Sequence, residues 1–140
     1  MGERTAPLGG GVYFIAGAGL VKIGVASSVA HRLAMLQTGS PVLLSIALVV
    51  PGDEMVERHL HFIFASYRQH GEWFALPAGW RGIVEAFLSG RLNMVSDDLA
   101  ECLRDAERRP GYIVPPRRHA GPPTAKWQTP WRWASRRMAA

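Results

Sequence analysis

Two short runs of apolar and β-branched residues near the start of the chain predict a β-hairpin. The runs are Val12–Ile15 and Val21–Gly24, and the turn Gly17–Gly19 separates them. Glycine supplies the positive φ that a tight hairpin loop needs, so the two runs are expected to pair as antiparallel strands. Tyr13 and Lys22 should then lie near each other across the pair.

After the hairpin the apolar positions change to a helical period. Val29, Leu33 and Leu36 recur at helical spacing, and the pair Ser27–Ser28 precedes them as acceptable N-caps. Arg32 comes about one turn into this predicted helix, which places it beside the buried stripe rather than on it. This arginine is therefore free to face a functional site.

A third strand and a second helix follow. Val42–Val50 is apolar on both faces and predicts the central strand of a small sheet. Asp53 is placed to cap a helix from Glu54 to about Tyr67. One face of that helix is apolar, and the neighbouring face carries the polar residues Glu54, Glu57, His61 and Arg68.

The remaining pattern predicts a short extended segment and two more helices. Glu72–Leu76 is expected to be a short strand or extended segment, Trp80–Leu88 an amphipathic helix, and Leu99 to about Arg109 another helix. We therefore predict an α/β fold with a small three-stranded mixed or antiparallel sheet flanked by helices. The predicted organisation is a lead-in at 1–10, a module at 11–94, a helix at 95–109 and a tail at 110–140.

Length and composition limit the class of protein. The chain has 140 residues, which fit one domain and an appendage. No stretch approaches the ~18 to 20 apolar residues of a membrane span, so we expect no membrane partner. The first residues lack the apolar core of a signal peptide, and the single Cys102 suits a reducing compartment. A cytoplasmic protein is the expectation.

The net charge of +5 belongs to the tail. Up to Glu107 the chain has 8 basic and 11 acidic residues, whereas from Arg108 onward it has 8 basic residues and no acidic one. Cations can meet phosphates while indole rings stack on bases, so the tail is a candidate nucleic-acid-binding segment. The same residues can instead anchor a protein partner. They are Arg117, Arg118, Lys126, Trp127, Trp131, Arg132, Trp133, Arg136 and Arg137.

Several motifs occur in an order that resembles a known family. They are Tyr13 in Val-Tyr-Phe, the tripeptide Lys22–Gly24, Arg32, Gln37–Pro41, the spaced set Glu57, Leu60, His61 and Phe64, and Gly71–Phe74. Together they resemble the signature of the GIY-YIG nuclease superfamily. The similarity is closest to its small phage and bacterial branch, in which the second tripeptide is Lys-Ile-Gly. The resemblance covers roughly Gly11 to Phe87.

The resemblance implies a role for each signature residue. Hydrolysis of a phosphodiester needs an activated water, a cation on the phosphate and usually a divalent metal. Glu57 would hold Mg²⁺ or Mn²⁺, Arg32 would contact the scissile phosphate, and Tyr13 would orient or deprotonate the water. The alternatives are a solvated helix glutamate, a surface arginine and a strand tyrosine whose ring faces the core.

Three further residues have more than one possible role. The better-known members of the family carry a second tyrosine where this chain has Lys22, which either prepares the water with the help of the nearby Arg32 cation or stabilises phosphate charge. His61, one turn after Glu57, is a general base, a proton donor to the leaving group, or simply a partner of that glutamate. Glu72 is a second carboxylate or, as we favour, a structural anchor for the hairpin.

These observations support three hypotheses from different classes. The first is a Mg²⁺-dependent DNA endonuclease in the cytoplasm of a bacterial or phage-infected cell. The second is a non-catalytic binding or virion-associated structural protein that keeps the nuclease scaffold, a possibility raised by Lys22 and by the tail. The third is a DNA-binding regulator whose module only positions the tail. Fold analogy alone does not choose the target.

Overall fold

The computed structural model describes residues 9–92 and 96–115. The chain divides into two compact units between Leu76 and Pro77. The prediction for the lead-in, apart from its last two residues, lies outside the described residues. So do the predictions for the tail beyond Pro115, including all of its candidate nucleic-acid contacts.

The first unit is built on a five-stranded sheet. Its strands are β1 (Gly11–Gly17), β2 (Leu20–Ala26), β3 (Ser45–Val50), β4 (Arg68–His70) and β5 (Trp73–Phe74), arranged in the order β3-β1-β2-β5-β4. Every neighbouring pair is antiparallel. Two helices, α1 (Val29–Thr38) and α2 (Glu54–Ile63), belong to the same unit, and a short 3₁₀ turn (Ala65–Tyr67) leads from α2 into β4.

The predicted hairpin is confirmed. β1 and β2 pair from Gly11 opposite Ala26 to Gly17 opposite Leu20, which leaves a two-residue loop. Both loop residues have positive φ, 53° at Ala18 and 79° at Gly19. Two consecutive positive φ values match the twist of paired strands, and this is the geometry that such short loops favour.

The two helices begin where their caps predict and pack on opposite faces of the sheet. The Ser28 hydroxyl accepts a hydrogen bond from the His31 amide at the start of α1, and the Asp53 carboxylate accepts two at the start of α2. Apolar residues of α1 pack with Tyr13 and Ile15 on one face. On the other face α2 contacts β1 and β2 through its buried residues Val56, Leu60 and Ile63.

The α/β class is confirmed, but the sheet is larger than predicted and its order differs. Five strands replace the predicted three. Trp73–Phe74, within the predicted short strand or extended segment, joins the sheet as β5, and Arg68–His70, expected at the end of a helix, pairs with it as β4. Helix α2 accordingly ends at Ile63 rather than near Tyr67.

The prediction that Val42–Val50 forms the central strand is wrong, since β3 covers only Ser45–Val50 and lies at one edge of the sheet. The side chain of Gln37 binds the backbone of Val42 and Leu44, which holds the first part of the run in a loop. Leu43 in that loop is 85% exposed, whereas Phe14 in the central β1 is fully buried. The apolar run thus reflected side-chain type and not position in the sheet.

The second unit contains α3 (Trp80–Leu88) and α4 (Ser96–Arg108), which pack against each other. The bounds of α3 are as predicted, and α4 begins three residues before the predicted Leu99. Arg91 donates a hydrogen bond to the carbonyl of Val114. Burial is the main reason why the pKa of Tyr112 is raised to about 12. In the described part of the chain no helix is long and apolar enough to cross a bilayer.

The packing of Tyr13 against Gly24 yields a testable prediction. A Cβ atom on Gly24 would lie 2.4 Å from the Tyr13 hydroxyl oxygen, so Gly24→Ala should lower the free energy of unfolding by about 1–3 kcal/mol through overpacking. Gly39→Ala is the matched control. Gly39 has a φ of −97° and open space around the position of a Cβ, so alanine there should be neutral or stabilising by about 0.4–1 kcal/mol. Urea denaturation measures both, and equal effects would contradict the packing account.

Candidate active site

The candidate site lies where the pairing between β2 and β5 ends. β5 pairs with β2 only at Val21 and Lys22, and the hairpin then turns away. The amide of Ile23 still donates to the carbonyl of Glu72 at 3.1 Å, but the carbonyl of Ile23 is bound by the Nε2 atom of His61 at 2.9 Å. We call the backbone of Ile23 and of the next residue, Gly24, the Ile23–Gly24 edge. Side chains approach this edge from both faces of the sheet.

On the face covered by α1, Tyr13 and Arg32 form one pair of groups. Tyr13 lies directly opposite Gly24 in the register, and its ring fills the space that a side chain at Gly24 would need. Arg32 comes from the first turn of α1 and donates from Nη1 to the Tyr13 hydroxyl at 3.2 Å. Tyr13 is fully buried, so its hydroxyl holds the arginine in place and does not face open solvent.

Lys22 and Glu72 form an ion pair on the same face. The Lys22 ammonium lies 2.7 Å from a Glu72 carboxylate oxygen and 5.9 Å from the centre of the Trp73 ring. The lysine side chain is only 15% exposed, whereas Glu72 is 45% exposed. A largely buried ammonium needs a counter-charge, and Glu72 supplies it from the turn between β4 and β5.

On the opposite face, α2 contributes Glu57 and His61 one turn apart. Burial raises the pKa of the half-buried Glu57 carboxyl; the charges of Glu72 and Glu54 act in the same direction, while those of His61 and Lys22 lower it. These influences place Glu57 in the electrostatic range of His61, Lys22 and Glu72. The carboxylate is thus near the Lys22–Glu72 ion pair although it comes from another element.

The hydrogen bond of His61 determines which nitrogen can take part in chemistry. A carbonyl oxygen can only accept, so Nε2 of His61 carries the proton that it donates to Ile23. In the neutral imidazole, Nδ1 is then the nitrogen with a lone pair. The ring also stands 5.2 Å from that of Phe74, which restricts its orientation. His61 is therefore a held imidazole with one acceptor nitrogen.

The five catalytic and metal-binding residues that the sequence predicts form two sets, one on each face of the sheet. Tyr13 and Arg32 are joined by a hydrogen bond on one face, while Glu57 and His61 come from α2 on the other. Lys22 connects the sets, because it shares a face with Tyr13 and influences the pKa of Glu57. Within the described residues, no hydrogen bond joins Glu57 to Tyr13 or Arg32.

The partners of these residues could not be identified from the sequence motifs alone. The Gly71–Phe74 motif marked Glu72, yet only the structure shows that its carboxylate pairs with Lys22 while its carbonyl binds Ile23. Trp73 and Phe74 lie beside Lys22 and His61 respectively. The contact between Lys22 and Trp73 could have been predicted only with the strand register, which places these two residues opposite each other.

The residues of the site fit a metal held by few protein ligands. In the described part of the chain, no group of three or more histidine, cysteine, aspartate or glutamate side chains is arranged to hold a metal ion. Mg²⁺, however, is commonly bound through one or two carboxylates with water and substrate completing the shell. Glu57 is the carboxylate suited to that role, because Glu72 is already paired with Lys22.

Comparison with known proteins gives one match. The model of the T5orf172 domain matches residues 10–106, which is more than half of the chain. No curated protein and no solved structure matches the chain.

The Lys22–Glu72 ion pair should contribute measurably to stability. Glu72→Ala leaves a largely buried ammonium without its partner and should cost about 1–3 kcal/mol in the free energy of unfolding. Adding Lys22→Met should recover much of this loss, because the unpaired charge is then gone. The control is Asp105→Ala, which removes the pair with the 74% exposed Arg108 and should cost less than about 1 kcal/mol. Additive effects of Glu72→Ala and Lys22→Met would argue against the pairing.

The raised pKa of Glu57 predicts a dependence of stability on pH. Folding favours the protonated carboxyl, so its contribution is complete below the ordinary value of 4.5 and is lost as the pH rises through the folded-state pKa. Glu57→Gln should therefore be more stable than the wild type at neutral pH, and the difference should shrink toward about pH 4. Glu101→Gln controls for the loss of one negative charge. A constant difference across this range in urea titrations would refute the expectation.

Proposed function

The chain belongs to the T5orf172 domain family, and from this premise and the geometry of its site we propose that it is a metal-dependent DNA endonuclease that hydrolyses phosphodiester bonds. The ordered motifs that resemble the GIY-YIG nucleases support the proposal. Under it, DNA is the substrate and Mg²⁺ or Mn²⁺ the metal. The protein would act in the cytoplasm of a bacterial or phage-infected cell.

One observation carries the proposal: groups from separate elements adjoin the same two residues of β2, since the Tyr13 ring that binds Arg32 packs over Gly24 and His61 binds the carbonyl of Ile23. Arg32 comes from α1, Lys22 from β2 and Glu57 from α2. Phosphodiester hydrolysis places negative charge on non-bridging oxygens and on the leaving oxygen, and fixed cations stabilise that charge. These charges come from three different elements, and the Lys22 ammonium lowers the pKa of the Glu57 carboxyl, which supports a shared role.

Arg32 and Tyr13 act together on the phosphate. Arginine keeps its charge and presents a planar fork of donors that matches phosphate oxygens. The Tyr13 hydroxyl accepts from only one of the guanidinium nitrogens, Nη1. Tyr13 then acts as a positioning residue for Arg32, which differs from the role at the water that the resemblance implies for it.

His61 and Lys22 divide the remaining tasks. The acceptor nitrogen of His61, left by its donation to Ile23, takes the proton from the attacking water. Lys22, which is paired with Glu72, stabilises phosphate charge, the second of the two roles considered for it. Glu57 would hold the divalent cation, which would supply charge neutralisation at the phosphate.

A second candidate is a non-catalytic binding or virion-associated protein on the same scaffold. The observation in its favour is that Tyr13 is fully buried and Lys22 is paired, so neither side chain is poised to activate water. The tail would then dock a protein partner or nucleic acid. Loss of turnover with retained binding separates this candidate from the first.

Plasmid cleavage tests the proposal. Purified protein with Mg²⁺ or Mn²⁺ should nick or linearise supercoiled plasmid, and Arg32→Ala and Glu57→Ala should each lower the rate on the order of 100-fold or more, as expected for loss of a charge that stabilises the transition state. Arg104→Ala is the matched control, because Arg104 is exposed and belongs to α4, which carries none of the proposed catalytic or metal-binding residues.

The outcomes separate the two candidates. Intact plasmid with all divalent metals, together with unchanged affinity for DNA in Glu57→Ala, would leave only the non-catalytic candidate. Cleavage that is equally fast in the wild type and in Arg32→Ala would show that a contaminant or another site is responsible.

A further inference from the structure

β4 is the outermost strand of the sheet on the side of the candidate site. Its three residues, Arg68, Gln69 and His70, are all exposed. None carries a negative charge, and each side chain has an N–H donor group. Sheet edges usually need protection or a partner, and neither the motifs nor the proposed catalytic residues account for this strand.

A bulge directs the two cationic or potentially cationic side chains of β4 to opposite faces of the sheet. Residues two apart on a regular strand share a face. Here Arg68 lies opposite Phe74 and His70 opposite Trp73, with a register shift between them. Directly opposed residues share a face, so Arg68 is on the side of Phe74 and His70 on the side of Trp73. Bulges often re-aim side chains beside functional sites.

Each of these side chains is next to one half of the site. The Arg68 guanidinium lies 5.3 Å from the centre of the Phe74 ring, and that ring is 5.2 Å from the imidazole of His61. On the other face, Trp73 stands between the register positions of His70 and Lys22. On each face of the sheet, one aromatic ring therefore separates a β4 side chain from a residue of the candidate site.

We propose that β4 is a second contact surface for the DNA backbone, on which Arg68 and His70 bind phosphates that flank the cleaved bond. The proposal rests on the proposed function, since it takes DNA as the substrate of this site. Each strand of duplex DNA carries a phosphate every ~3.4 Å along the helix axis, so one strand bound at His61 and Glu57 readily reaches Arg68. Contacts of this kind fix the register of the substrate and do not read its sequence.

Charge selects this occupant over a protein strand added to the edge. Of the described residues, no carboxylate forms an ion pair with Arg68, whose guanidinium contacts the Phe74 ring. Stacking on a ring leaves the N–H donors at the rim of the guanidinium directed outward, where they match phosphate oxygens. A protein strand would pair through backbone groups and would not require a cation at this position.

The salt dependence of DNA affinity tests the proposal. A fluorescein-labelled duplex is titrated in EDTA, so that binding is measured without cleavage. Arg68→Ala should weaken binding severalfold and lower the slope of log affinity against log salt by about 1, because one phosphate contact is lost. Arg68→Lys should restore the slope, and His70→Ala should weaken binding further in the Arg68→Ala background. Arg104→Ala, at an exposed arginine of α4, should match the wild type.

The results distinguish failure of this inference from failure of the proposed function. A slope that is unchanged in Arg68→Ala, while Arg32→Ala lowers it, overturns the contact surface alone. A slope that is lowered in Arg68→Ala but not in Arg68→Lys supports the contact surface even if no cleavage occurs. A wild type that binds no DNA overturns both. Unfolding curves of Arg68→Ala and Arg68→Lys show whether either variant is destabilised, and the pair is compared at equal folded fraction.

Discussion

The hydrogen bond from His61 to the carbonyl of Ile23 is the contact on which the arrangement of the site depends. A backbone carbonyl in a sheet needs a partner, and β5 is too short to continue the ladder past Lys22. His61 takes the place of the missing strand at 2.9 Å. Because Glu57 lies one turn earlier on the same helix, satisfying this one carbonyl also sets the position of the carboxylate.

The absence of a side chain at Gly24 links this face to the other. The Tyr13 ring occupies the space above Gly24, and its hydroxyl meets Arg32 from α1. A larger residue at Gly24 would displace the ring and the arginine with it. Residues of both helices thereby adjoin the edge of one strand, Arg32 through Tyr13 and His61 directly, although these helices pack on opposite faces of the sheet.

The charges around the edge explain why it is suited to a further cation. The Lys22 ammonium is paired with Glu72, whereas the Glu57 carboxyl carries a desolvation cost that raises its pKa. A bound divalent cation would offset that cost, since an opposite charge favours the ionised carboxyl. Under the proposed function, Arg32 suits the phosphate better than Lys22 does, because its hydrogen bond goes to a hydroxyl and not to a carboxylate.

Local sequence determined much of this protein. Turn glycines, the caps Ser28 and Asp53, and the helical periods produced the hairpin and the starts of two helices, because these features depend on residues only a few positions apart. The motif residues were identified for the same reason: spacing and side-chain chemistry are visible in the chain itself.

Tertiary structure alone decided the lateral order of the strands and the partners of the site residues. Val42–Val50 was as apolar as a central strand, yet β3 is at the edge because β1 and β2 occupy the middle. The pairing of Lys22 with Glu72 and of His61 with Ile23 joins residues 50 and 38 positions apart. Such contacts depend on how the sheet closes against its helices, and no local pattern of apolar and polar residues encodes that distance.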